Sequence, residues 1–177
     1  MTVLGVTIGL TSKAEVEARL GKASISEVGH GDEAEDVACY RSQSKHDDTI
    51  IAFYFGALGG WVDVTRISVS NARAYPLDVE NCESNRQVSR NVEFLRKLRL
   101  GSTVAEVIRA LGAPSHSSAK RLSYYTSHKC GSRLPESRKS EAKSTANSPC
   151  ELVDSVDARF TSDGKLEYVS FYHFVEK

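Results

Sequence analysis

The chain has 177 residues, 40 % of them hydrophobic, with Lys plus Arg and Asp plus Glu equal at 23 each. That apolar content supports a packed core and excludes disorder as the default. Zero formal charge argues against a non-specific nucleic-acid binder, which carries a basic excess to displace counterions. No stretch approaches the roughly 20 apolar residues that span a bilayer. Met1-Thr2-Val3-Leu4-Gly5 lacks the basic-then-apolar pattern of a signal peptide. A cytoplasmic protein and an exported one without its signal both fit that start.

In chain order, residues 2–8 read as extended. Ser12-x-x-Glu15 is a capping box, in which hydroxyl and carboxylate satisfy opposite orphan N–H groups at a helix start. Val16 and Leu20 lie four apart on one helical face, and Gly21 supplies the stop. A helix of about three turns is expected there. Strands are expected at 37–41, at 49–55 and at 62–70, with the Gly56 to Gly60 stretch as the turn between the last two. Residues 71–81, which include Pro76, read as irregular. Ser84-x-x-Gln87 opens an expected helix in which Val88, Val92 and Leu95 keep helical spacing. Thr103-x-x-Glu106 is a second capping box, followed by Val107, Leu111 and Gly112. Strands follow at 121–126, 154–160 and 166–175, the last two joined by Ser162-Asp163-Gly164-Lys165, a hairpin signal. Between the 121–126 and 154–160 strands, 127–149 is Ser/Lys/Arg-rich and aperiodic, and loops of that length are usually functional or disordered.

The two capped helices match without gaps. Ala14-Glu15-Val16 through Leu20-Gly21 aligns with Ala105-Glu106-Val107 through Leu111-Gly112. The expected fold is therefore α+β, with two tandem repeats, each packing short helices on one face of an antiparallel sheet of about four strands. The first repeat is placed at 1–75, a linker and the start of a connecting helix at 76–91, and the second repeat at 92–177.

A helix entered through a capped Glu-Val step, ending in Leu-Gly-x-Pro (Leu111-Gly112-Ala113-Pro114) and followed by a hairpin sheet, resembles the SmpA/OmlA (BamE-like) domain. The first copy, Leu20-Gly21-Lys22-Ala23, lacks the proline. The tandem arrangement, with a cysteine-bracketed loop in the second copy, is similar to the β-lactamase inhibitory proteins. This resemblance implies a bacterial envelope or secreted protein that binds another protein. No lipidation cysteine stands near Met1, so a lipoprotein anchor is not expected.

Cys39, Cys82, Cys130 and Cys150 include no Cys-x-x-Cys, so neither a zinc ribbon nor a thioredoxin-type pair is suggested. Cys130 and Cys150 bracket the polar loop and are expected to join, a clip worth on the order of 3 kcal/mol in the chain-entropy model. A Cys39–Cys82 bridge is expected beside it. Disulfides point to a periplasmic or secreted protein, and four free thiols would point to the cytoplasm. No nucleophile elbow or phosphate loop occurs, and His30, His46, His116, His128 and His173 are scattered. His128 with Cys130 supplies only two metal ligands, and Cys39 with His46 is a remote thiol–base pair. No enzyme activity, cofactor or metal is expected.

The sheet faces carry more information. Phe55, Phe160, Ile67, Val69, Val169 and Phe171 should pack on the helices. Alternation then sends Ala52, Tyr54, Arg66 and Ser68, with Asp157, Arg159, Tyr168, Ser170 and Tyr172, to the opposite face. Tyr and Arg among a few charges is the composition of protein-binding hot spots. A plain solvated face is the simpler reading. The expected function is a non-enzymatic inhibitor, immunity or envelope-assembly module that binds another protein through Tyr54, Arg66, Asp157, Arg159, Tyr168 and Tyr172. Binding of a small molecule or cell-wall glycan is the alternative, and an undetected hydrolase a third.

Overall fold

The computed structural model describes residues 1–31, 34–56, 62–129 and 151–176. The chain opens with a two-strand hairpin, β1 (Thr2–Val3) and β2 (Val6–Thr7), whose turn residues Leu4 and Gly5 both have positive φ. Helix α1 (Lys13–Leu20) follows. Strands β3 (Ile25–Val28), β4 (Glu35–Ser42), β5 (Thr49–Phe55) and β6 (Val64–Asn71) come next. A 3₁₀ turn at Val79–Asn81 leads into the short strand β7 (Glu83–Asn85). Helix α2 (Val104–Leu111) precedes β8 (His116–Ser118), β9 (Arg121–Lys129), β10 (Glu151–Phe160) and β11 (Leu166–Glu176).

The expected pair of four-strand sheets with short helices on each is not what forms. Nine strands make one sheet in the order β3-β4-β5-β6-β11-β10-β9-β8, with β7 parallel to β4 beside this path. Two α-helices, of eight residues each, complete the described regular structure apart from the small hairpin and the 3₁₀ turn. The physical reason lies at β6 and β11. Each ends its run of strands, so in two separate sheets each would expose a long unpaired backbone edge, a template for unwanted pairing. Here the two edges satisfy each other, antiparallel, with Tyr168 opposite Ser70 and Tyr172 opposite Arg66.

Both helices sit where their caps dictate. Ser12 and Thr103 accept from the backbone N–H of Glu15 and Glu106, whose carboxylates accept in return from the cap residues. Those bonds hold both carboxyls below their usual range. Each cap residue also bridges to the residue just before a central strand, Ser12 to Asp63 and Thr103 to Lys165. Gly21 and Gly112, at φ 91° and 90°, close the helices after two turns rather than three. Val16, Leu20 and Val107 thereby reach one core with Phe53, Phe55, Ile67, Val69, Phe160, Val169 and Phe171. Tyr40 joins this core, and its hydroxyl donates to the Gly21 carbonyl at 2.7 Å. Burial pushes that phenol up to about 12.

The helix expected after Ser84 does not form. Asn85 and Ser89 accept from the N–H groups of Gln87 and Asn91, local side-chain bonds that compete with helical ones. Asn85 also donates to the Leu20 carbonyl, and β7 is tied to β4. Val88, Val92, Phe94 and Leu98 still bury themselves, from irregular turns.

Cys39 and Cys82 form a disulfide, with a Cα separation of 4.8 Å. The two cysteines are 43 residues apart in sequence, and closing a loop of that length contributes about 4 kcal/mol in the chain-entropy model. The bridge is compatible with an oxidising compartment, and it removes Cys39 from any thiol–base pair with His46. The expected Cys130–Cys150 pair, and any metal at His128 and Cys130, lie outside the described residues. No described helix is long and apolar enough to cross a membrane.

Candidate functional site

The face turned away from the helices is built in rows by strand register. One row runs Val37, Tyr54, Arg66, Tyr172, Ser155, Tyr125 across β4, β5, β6, β11, β10 and β9. The next runs Cys39, Ala52, Ser68, Ser170, Asp157, Ser123, all small but for the aspartate. A third holds Ile50, Ser70, Tyr168, Arg159 and Arg121. The six residues expected to form the binding surface all lie on this face, in two groups of three.

The first group is closed. Arg66 donates to Glu35 and to the Tyr172 hydroxyl. Its guanidinium lies 3.5 Å from the Tyr54 ring centroid and 4.7 Å from that of Tyr172. The charge is compensated and the cation stacked, so Arg66 fastens strands together. Burial raises the Glu35 carboxyl, with Arg66 opposing, and burial likewise raises the phenols of Tyr54 and Tyr172. Over this half of the face lies the segment that follows β6. Tyr75, Leu77, Val79 and Cys82 pack there against Val37, Cys39, Ile50, Ala52 and Tyr54. The disulfide fixes that cover, and Tyr54 is thus buried beneath it. At the seam the hydroxyls of Ser68, Ser70 and Ser170 are buried, and in the cover so is that of Tyr75.

The second group is open. Asp157 accepts from Arg121, from Arg159 at 3.2 Å and from the Ser123 hydroxyl at 3.4 Å. Arg159 also stacks over the Tyr168 ring at 4.6 Å. Tyr168 is 5 % exposed, so it serves as the floor under Arg159 rather than as a contact residue. The side chains of Arg121 and Arg159 are 55 % and 48 % exposed, and Tyr125 is 54 % exposed. Arg121, Tyr125 and Glu35 were missed in the sequence. For the first two a signal existed: Leu122 and Tyr124 point to the core, so alternation along β9 puts Arg121, Ser123 and Tyr125 on the other face.

Elsewhere, residues 41–48 with Ile50, Ala72, Val79 and Ser84 line a hollow of about 550 Å³. Its charges are mixed, and Asp47 already accepts from Thr49 and from the Arg90 backbone. On the helix side, His173 and Asp154 pair at 2.7 Å, and no hydroxyl or thiol among the described residues bonds that ring. Among the described residues no three His, Cys, Asp or Glu side chains are grouped to hold a metal.

No family model, curated protein or solved structure matches the chain. Function is therefore argued from the face itself. Its open half offers fixed guanidinium groups, one well-exposed tyrosine ring and hydroxyls on a rigid sheet. That arrangement suits binding.

Proposed function

We propose that the chain is a non-enzymatic, exported bacterial protein-binding module of the inhibitor, immunity or envelope-assembly type. The partner meets the open half of the helix-free sheet face, at Arg121, Tyr125 and Arg159. The observation that carries this reading is Tyr125, a large aromatic ring more than half exposed, on the same face of β9 as Arg121 and two rows from it, with the guanidinium groups of Arg121 and Arg159 already positioned by Asp157 and Tyr168. Preorganised Tyr and Arg lose little side-chain freedom on binding, which is why they dominate interface hot spots. The Cys39–Cys82 bridge supports an exported setting. The likeness of the capped helices to the SmpA/OmlA domain agrees with it.

A pull-down from the source bacterium's envelope extract tests the reading. The wild-type chain should retain a protein at stoichiometric yield, and Tyr125→Ala should lose it while melting at the same temperature. Retention on peptidoglycan alone would instead make this a glycan-binding face.

A further inference from the structure

Arg121 and Arg159 stand directly opposite each other on β9 and β10. Like charges in that position destabilise a sheet. Both turn to a single carboxylate, that of Asp157, so among the described residues of this cluster two cations share one anion, which leaves a positive surplus. Ser118 on β8 pairs with Arg121 and places a further hydroxyl-bearing residue beside it. Arg159 is braced from below by the Tyr168 ring, so it presents its charge without needing a new conformation. The chain as a whole has no net charge. This local surplus is thus a feature of the face and not of the composition, and breaking a local pairing rule is most often tolerated at functional positions.

Resting on the protein-binding reading above, we infer that Arg121 and Arg159 form the receptor for a carboxylate on an acidic segment of the partner protein, with Tyr125 covering an apolar side chain of the same segment. A guanidinium pair bonds a carboxylate through parallel N–H donors, which fixes orientation as well as charge. A polyanion is disfavoured, because one surplus charge releases few counterions compared with a nucleic-acid site.

Selection from a displayed random-peptide library, followed by affinity measurement with the enriched synthetic peptides, tests this. The enriched peptides should share an Asp or Glu with an apolar or aromatic residue a few positions away. Their affinity should fall about thirtyfold or more in Arg121→Glu/Arg159→Glu, and a peptide with Lys in place of the acid should regain binding to that double variant. Lys22→Glu, an exposed charge change elsewhere, should leave affinity unaltered. Arg159→Gln serves as the gentler variant, and melting curves identify any loss due to unfolding. Peptides without acids that still need Tyr125 would overturn the carboxylate receptor and leave the binding face standing. Peptides indifferent to both the arginines and Tyr125 would overturn both. A single-stranded oligonucleotide binding more tightly than the peptides, through the same arginines, would also overturn it.

Discussion

Tyr168 and Tyr125 lie on the same face, and burial gives them opposite roles. Tyr168 lies under Arg159 in the third row, nearly inaccessible, whereas Tyr125 stands open on β9. Tyr168→Ala should remove a packed aromatic and destabilise the fold by about 3 kcal/mol or more. Tyr125→Ala should stay within about 0.5 kcal/mol of the parent. Urea unfolding of the two variants checks this, and equal losses would mean that Tyr168 is not the floor described. From sequence alternation alone the two tyrosines are indistinguishable, because period 2 assigns a face and says nothing of what lies over it. For the same reason Tyr54 and Arg66 are legible as face residues. Their closure under residues 75–82 is not, since it depends on a long-range disulfide.

At the scale of elements, the helix signals at Ser12-x-x-Glu15 and Thr103-x-x-Glu106 lead to helices, and the one opened by Ser84-x-x-Gln87 with Val88, Val92 and Leu95 does not. The boxes at Ser12 and Thr103 start real helices, and the Thr49–Phe55 strand has the limits its β-branched and aromatic run suggests. Val88, Val92 and Leu95 have helical spacing too, yet their polar neighbours bond locally and the chain turns instead. That stretch ends in a tight turn in which Leu98 N–H donates to the Leu95 carbonyl and both Arg96 and Lys97 have positive φ, 52° and 69°. Side chains with a Cβ adopt that region at a cost of roughly 1–2 kcal/mol each. Arg96 is anchored, donating to the Ala110 carbonyl of α2, but Lys97 is exposed. Lys97→Gly should therefore stabilise the protein, by about 1 kcal/mol in urea unfolding. Destabilisation by a similar amount would place Lys97 outside the left-handed region.

At the scale of the whole molecule, the continuous sheet was the least legible feature. Alternation in β6 and β11 reads the same whether a strand is an edge or an interior one, and only the need to pair both edges brings them together. The seam buries Ser68, Ser70 and Ser170, and the cover over β4 and β5 closes one side of it, so a single face is divided into a sealed half and an open half. The proposed partner surface is the open half, where Tyr125 is a large hydrophobic side chain left exposed. Hydroxyl-radical footprinting of the chain, free and with its captured partner, tests that assignment most directly. Oxidation of Tyr125 should be fast in the free protein and strongly reduced in the complex, while exposed residues of the 41–48 hollow keep their rates. Tyr125 oxidised as fast in the complex as alone, with shielding at the hollow or along α1 and α2, would contradict it.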